Sequence, residues 1–138
     1  MISVRKQEVV KLEDVLHLYQ AVGWTNYTHQ PQMLEQALSH SLAIYLALDG
    51  DAVVGLVRLV GDGFSSVFVQ DLIVLPSYQC QGIGSALMKK ALEDFKDVYQ
   101  VQLVTDQTEK TLGFYRSLGF ETLSTFDCTG MIWLDRKK

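Results

Sequence analysis

The chain holds only two prolines and two cysteines in 138 residues. Cys80 and Cys128 are too few for a disulfide framework and neither lies in a Cys-x-x-Cys spacing, so reduced thiols and no bound metal are expected. No apolar run approaches the length of about 20 residues that a bilayer span needs. The N-terminal residues, Met1-Ile-Ser-Val-Arg5-Lys6, lack the apolar stretch of a signal peptide, which leads to the expectation of a cytoplasmic protein without membrane partners. No lysine-arginine cluster occurs before Arg136, and the net charge is −4, so the electrostatic footprint of a nucleic-acid binder is missing. Internal repeats, low-complexity tracts and linkers are also absent. With 48% hydrophobic residues the chain reads as a single domain, residues 1–138, around one core. The acidic balance mildly favours cationic partners such as amines.

What is present is a succession of short periodic segments. Ile2 to Val4 reads as a strand, followed by a helix with Leu12, Val15, Leu16, Tyr19 and Val22 on one face and Gly23 at its end. A loop rich in aromatic and hydrogen-bonding groups, Gly23 to Pro31, leads to a second helix, Gln32 to Ser39, with Met33, Leu34, Ala37 and Leu38 facing inward. Ile44 to Leu48 and Val53 to Val60 alternate as strands around the turn Asp49-Gly50-Asp51. A second hairpin through Gly61-Asp62-Gly63 reaches the strand Val67 to Val74, so three antiparallel strands are consecutive. Arg58 and Asp71 are the charged residues within these apolar strands, and a cross-strand ion pair or an outward-facing position is the plain reading for Arg58. A strand at Val101 to Thr105, a helix ending at Gly119, and strands at Phe120 to Thr122 and Met131 to Leu134 complete the chain.

The most informative stretch is the strand-to-helix joint Leu72-Ile-Val-Leu-Pro76-Ser-Tyr-Gln79-Cys-Gln-Gly82-Ile-Gly84-Ser85. Ile83, Leu87, Ala91 and Phe95 set the helical period after two glycines. Such a joint presents unpaired N–H groups at a helix N-terminus and lets the backbone approach an anionic group such as phosphate. A nucleotide-hydrolysing loop would require Gly-Lys-Ser/Thr, and no lysine precedes Ser85. A dinucleotide fingerprint would require a small residue where Leu87 stands. What remains is Gln79-x-x-Gly82-x-Gly84, followed some thirty residues later by Gly113-Phe-Tyr115-Arg-Ser-Leu-Gly119-Phe120. In these two motifs the sequence resembles the GNAT superfamily of acetyl-coenzyme A-dependent N-acetyltransferases.

The resemblance implies an α+β fold, a mixed, mostly antiparallel central sheet with helices on both faces, in the order β-α-α-β-β-β-α-β-α-β-β. It implies acetyl-CoA as co-substrate, with no metal, and a primary amine, of a small molecule in the leading reading, as acceptor in a direct ternary-complex transfer. Leu72, Ile73 and Val74 would line the pantetheine arm, and the loop Gln79, Cys80, Gln81, Gly82, Ile83, Gly84 and Ser85 would receive the pyrophosphate. Thr108 stands where the family commonly has an asparagine toward the pantetheine. Tyr115 would be the general acid, as well as lining the cofactor site. Trp24, Asn26 and Tyr27 are candidates for acceptor contact, and Asp71 for orienting or deprotonating the amine, with Asp62 and Asp106 as other candidate bases. Neutral Gln79, Cys80 and Gln81 depart from the basic loop residues common in the family, which leaves Lys89, Lys90 or Lys110 to assist. A non-catalytic acyl-CoA sensor is the competing functional reading, and a homodimer is one open arrangement.

Overall fold

The computed structural model describes residues 1–135. Met1 to Leu103 and Val104 onward are two compact units. The first contains a five-stranded sheet in the order β1 (Ile2–Lys6), β2 (Ala43–Asp49), β3 (Ala52–Gly61), β4 (Ser66–Val74) and β5 (Gln100–Leu103). Neighbours are antiparallel except β4 and β5, which run parallel. Four helices belong to this unit: α1 (Leu12–Ala21), α2 (Thr25–Thr28), α3 (Pro31–Ser39) and α4 (Ile83–Asp94).

Alternation along the strands assigns the two faces. Ile44, Leu46 and Leu48 of β2, with Leu56 and Ile73, meet Val15, Leu18, Tyr19, Tyr27, Leu34 and Leu38 of α1 to α3. On the opposite face Tyr45 donates to Asp94 at the end of α4 at 2.8 Å. There the absence of a side chain at Gly55 has a packing reason. A Cβ would lie 3.1 Å from the Ile73 carbonyl oxygen and 3.2 Å from Leu87 of α4, so glycine lets the helix settle on the sheet. The expected α+β sheet with helices on both faces is present.

Two details of the first unit differ from the sequence reading. The stretch between the first two long helices is not a plain loop, because Thr25–Thr28 close a helical turn with Tyr27 and Thr28 N–H groups on the Trp24 carbonyl. Four residues carry no readable period, so this turn had no sequence signal. α3 begins one residue early, at Pro31, and buries Leu34 and Leu38, whereas Met33 faces solvent. Proline at the first helical position loses nothing there, since that N–H has no helical partner in any case.

The second unit contains α5 (Glu109–Ser117) and a 3₁₀ turn, Leu123–Phe126. Neither expected strand, Phe120 to Thr122 or Met131 to Leu134, forms among the described residues. Phe120 is instead the closing residue of α5. Its N–H donates to the Tyr115 carbonyl and the Gly119 N–H to that of Arg116, with Gly119 at φ +98°. That pair of bonds is the Schellman termination, and Phe120 packs edge-on against Tyr115 at 5.9 Å as its apolar closure. A strand also requires a ladder partner, which β-propensity alone cannot supply. The basic terminal residues Arg136, Lys137 and Lys138 lie outside the described residues.

Candidate active site

β4 is paired on both sides for only part of its length. It pairs with β5 from Ser66 to Val69, against Gln100 to Leu103, and continues to Val74 on the β3 side alone. Its ladder with β3 skips Gln70, which sits as a bulge between Val69 and Asp71. A bulge bends and twists the strand that carries it. Beyond Val69, the β5-facing edge of Leu72, Ile73 and Val74 has no pairing with β5, so backbone groups there are left for another partner.

The chain leaves β4 through Pro76–Tyr78, a 3₁₀ turn, and enters α4 through Gly82. Two side chains hold this loop in shape: the Gln79 amide donates to the Val74 carbonyl at 3.1 Å and that of Gln81 to Ser77 at 3.4 Å. Tyr78 anchors it to β2 by donating to Asp49 at 2.6 Å. Cys80 is exposed, with φ at +62°, and Gly82 has φ +82° as the residue capping α4. No side chain caps the first turn, so the N–H groups at Ile83, Gly84 and Ser85 are presented by a left-handed turn and not screened by a cap. A Cβ at Gly82 would meet nothing within 4 Å, so open space lies above the turn. Backbone donors, a positive helix end and room for close approach fit a pyrophosphate. The Gln79 and Gln81 amides are engaged within the loop, so donors offered to an anion there would be mainly backbone N–H groups.

Behind β4 lies a buried polar cluster. Arg58 and Asp71 are opposite one another on β3 and β4 and only 4% and 3% exposed. The Arg58 Nε donates to Asp71 Oδ2 at 2.7 Å, Tyr19 donates to the same oxygen at 2.9 Å and Tyr27 to Oδ1 at 3.0 Å. The remaining guanidinium nitrogens reach Ser41 Oγ at 3.2 Å and Tyr27 Oη at 3.3 Å. No buried side-chain nitrogen or oxygen among the described residues lacks a partner. Burial, then the Asp71 charge, pushes the phenol of Tyr19 far above its ordinary range, and the same causes raise Tyr27. Both phenols therefore stay protonated donors. The sequence exposed Arg58 and Asp71 as isolated charges in apolar strands, but Tyr19 looked like any aromatic on a helix face.

Trp24, Asn26 and Tyr27, the candidate acceptor contacts, belong to the α2 turn. Tyr27 is buried, Trp24 packs partly buried against the core with its ring 6.2 Å from Tyr19, and Asn26 is exposed. The bulged Gln70 reaches Tyr27 Oη at 3.4 Å, which ties α2 directly to the bend in β4. A separate groove of about 600 Å³, lined in part by Glu13, Asp14, His17 and Asp51, contains none of these residues.

The other candidate bases serve as local caps. Asp62 accepts from the N–H groups of Phe64, Ser65 and Ser66 and from the Ser65 hydroxyl, and that hydroxyl, with the N–H groups, holds its carboxyl well below the usual range. Asp106 accepts from the hydroxyl and N–H of Thr108, which lower it likewise. A base at neutral pH is most effective with a pKa near the working pH, so both are poorly tuned for deprotonating an amine.

In the second unit Thr108 caps α5, accepting from the Thr111 N–H at 3.3 Å while its hydroxyl donates to Asp106 at 2.7 Å. Tyr115 lies in the second turn of α5, flanked by Phe114 and Phe120 at 5.0 and 5.9 Å. Burial, and secondarily Asp106, raises its phenol. A phenol that keeps its proton is what a general acid requires.

Residues 40–122 match the model of the acetyltransferase (GNAT) domain family. The chain belongs to the GNAT acetyltransferase family. Among solved structures it is similar to a GNAT-family acetyltransferase of Streptococcus pneumoniae TIGR4, with 79% identity, a TM-score of 0.91 and 99% of each chain covered. It is 31% identical to the chloroplastic GCN5-related N-acetyltransferase 1 of Arabidopsis thaliana, over 84% of this chain and 59% of that one. It is 32% identical to the chloroplastic serotonin N-acetyltransferase 2 of Oryza sativa subsp. japonica, over 66% of this chain and 48% of that one. The chain thus spans about half to three-fifths of the length of these curated relatives. Among the described residues, no helix of this GNAT chain is long and apolar enough to cross a membrane.

Proposed function

We propose that the chain transfers an acetyl group from acetyl-coenzyme A to a primary amine of a small molecule. The observation that carries this reading is the half-paired β4, whose free edge after Val69 leads within ten residues to the uncapped N-terminus of α4. An extended amide-bearing arm beside that edge and a pyrophosphate on the N–H groups from Gly82 to Ser85 use both features of one continuous segment. Gly82 and Gly84 keep that approach clear.

The chemistry asks for a neutral amine, a donor for the carbonyl oxygen, and an acid for the departing thiolate. A backbone N–H of Leu72, Ile73 or Val74 serves as the donor. Tyr115, kept protonated by its surroundings, gives its proton to the thiolate sulfur as the thioester C–S bond breaks. Asp71 works through others. Both of its oxygens already accept hydrogen bonds, so it orients Tyr19 and Tyr27 as a positioning residue and water takes the amine proton. The serotonin N-acetyltransferase among the relatives, and the aromatic Trp24 beside Tyr27, favour an acceptor with an aromatic body.

Thiol release measured across a panel of arylalkylamines, polyamines and peptide amines, alongside calorimetric titration of coenzyme A, tests the reading. Turnover on a small amine is expected. Tight coenzyme A binding with no turnover on any amine would replace the enzyme by the sensor, and absence of binding would remove both.

A further inference from the structure

The bulge in β4 re-aims a side chain as well as bending the strand. Alternation turns neighbouring strand residues to opposite faces, yet the register passes from Arg58 opposite Asp71 to Leu59 opposite Val69 and leaves Gln70 extra. An extra residue breaks the alternation. Gln70 and Asp71 consequently reach the same partner: Tyr27 donates to Asp71 Oδ1 at 3.0 Å and accepts from Gln70 Nε2 at 3.4 Å. The Tyr27 hydroxyl has one proton, and Asp71 takes it. Only the NH₂ side of the Gln70 amide can then face Tyr27, so the network fixes the amide's orientation and turns Oε1 elsewhere. Oε1 receives no donor among the described residues, and Gln70 is exposed while Tyr19, Tyr27, Arg58 and Asp71 are buried. Asp71 has no such freedom. Its Oδ2 takes Arg58 and Tyr19 and its Oδ1 takes Tyr27, so the open side-chain acceptor at this point of β4 is the Gln70 oxygen. Gln70 also follows Val69 directly, the last residue of β4 to pair with β5.

We propose that Gln70 receives the acceptor amine, its Oε1 accepting one N–H of the uncharged amine while the nitrogen lone pair stays free for the thioester carbon. This rests on the function proposed above, which sets the pyrophosphate at the Gly82 turn and the arm on Leu72 to Val74. An arm laid that way runs back along β4, so its thioester end points at Gln70, four residues and roughly 13 Å from Val74. Charge gives the class of amine. Arg58 answers Asp71, and an amide oxygen is neutral, so nothing in this cluster offsets the desolvation of an ammonium ion. A free base carries no such penalty. Trp24, at the cap of the α2 turn with its ring 6.3 Å from that of Tyr27, gives the aromatic body of the acceptor a surface to lie against.

Two variants separate the oxygen from the N–H. Gln70→Met keeps the length of the side chain and loses both groups, whereas Gln70→Glu keeps an acceptor oxygen and loses the N–H given to Tyr27. With 2-phenylethylamine as acceptor, Gln70→Met should raise KM for the amine about fivefold at unchanged coenzyme A affinity, and Gln70→Glu should bring KM back to within about twofold of wild type. The contact can also be read without turnover. 2-Phenylethanol keeps a donor and its methyl ether has none, so the alcohol should inhibit wild type about fivefold more tightly than the ether, and Gln70→Met should not distinguish them. A Gln70→Met protein with wild-type KM and the wild-type preference for the alcohol would overturn the contact. Gln70→Glu as weak as Gln70→Met would make Gln70 a brace for Tyr27 and overturn it equally. A wild type that binds coenzyme A yet leaves 2-phenylethylamine untouched is a different failure: it removes the transferase reading for arylalkylamines, and the contact with it.

Discussion

The region from Met1 to Leu103 buries its charged pair, Arg58 and Asp71, beneath two phenols, while the region from Val104 to Asp135 keeps its polar cluster, Asp106, Thr108 and Thr111, at the surface. The first region holds every buried side chain among the described residues and the second holds none. Order therefore has different sources in the two. In the first it comes from a packed core in which each polar group is answered, so a lesion there leaves an uncompensated group and should appear as lost stability. In the second it comes from a cap, a Schellman closure and ring contacts, each small, so a lesion at Tyr115 should appear as lost chemistry with little change in folding.

The sharpest way to break that contrast is Asp71→Ala. It strands the Arg58 charge in a place only 4% exposed and removes the acceptor of both phenols. Breaking a buried pair by deleting one partner costs about 3 to 5 kcal/mol. Urea denaturation should show a loss of that size. A loss below about 1 kcal/mol would mean that water enters the cluster and answers the guanidinium.

Tyr115→Phe should do the reverse. The ring contacts with Phe114 and Phe120 persist, so stability and coenzyme A affinity should hold while kcat falls by a factor of about 10² to 10⁴. Because burial and Asp106 raise the phenol, the wild-type acid stays protonated through its ordinary value near about 10, and alkaline loss of activity from this group should begin only above that. The variant should keep a residual rate that rises with pH as the amine loses its proton. Wild-type kcat in the variant, with chemistry rate-limiting, would remove Tyr115 from the mechanism.

The same contrast explains what the sequence disclosed. The strand, glycine turn and α4 were legible because their signals are local: an apolar run ending at Pro76, glycines at the joint, and a four-residue period from Ile83 onward. Asp71 and Arg58 were legible as charges out of place, but whether they paired or faced outward was settled only by the register that sets them opposite one another on β3 and β4. The α2 turn was not, because its four residues fix no period, and Tyr19 was not, because its hydroxyl meets Asp71 only after α1 crosses the sheet. The strands expected at Phe120 to Thr122 and Met131 to Leu134 failed for a different reason. Strand formation depends on a partner edge, which no window of sequence describes.

Gly84→Val probes the first region without touching its core. Valine is a better helix former than glycine by a few tenths of a kcal/mol, so the substitution spares α4, yet its branched side chain would stand among the N–H groups assigned to the pyrophosphate. Calorimetry should show coenzyme A affinity reduced by about 100-fold, equivalent to about 2.8 kcal/mol, in a protein that still folds. Cys80, exposed in the same loop, should in the wild type be alkylated by iodoacetamide more slowly when acetyl-coenzyme A is bound. Unchanged affinity or an unchanged alkylation rate would move the phosphates elsewhere.

The smallest effect is expected for Thr108→Ala, and it tests whether the second region is held by its caps. The Thr108 hydroxyl accepts from the Thr111 N–H and donates to Asp106, so alanine leaves the first turn of α5 without its side-chain acceptor. Losing a cap of this kind typically costs about 1 kcal/mol. With no buried side chain to resist local opening, that cost should appear as roughly fivefold faster hydrogen exchange at the α5 amides of Leu112 to Tyr115. The pH dependence follows from Asp106, whose carboxyl is held below its ordinary range chiefly by the Thr108 hydroxyl. A depressed folded-state pKa contributes stability above the ordinary carboxylate value, and that contribution disappears as pH falls through the depressed one. The difference between wild type and Thr108→Ala should therefore be fullest near neutral pH and shrink in acid. A difference that stays constant from neutral pH down through the carboxylate range would assign the whole effect to the Thr111 N–H and none to Asp106.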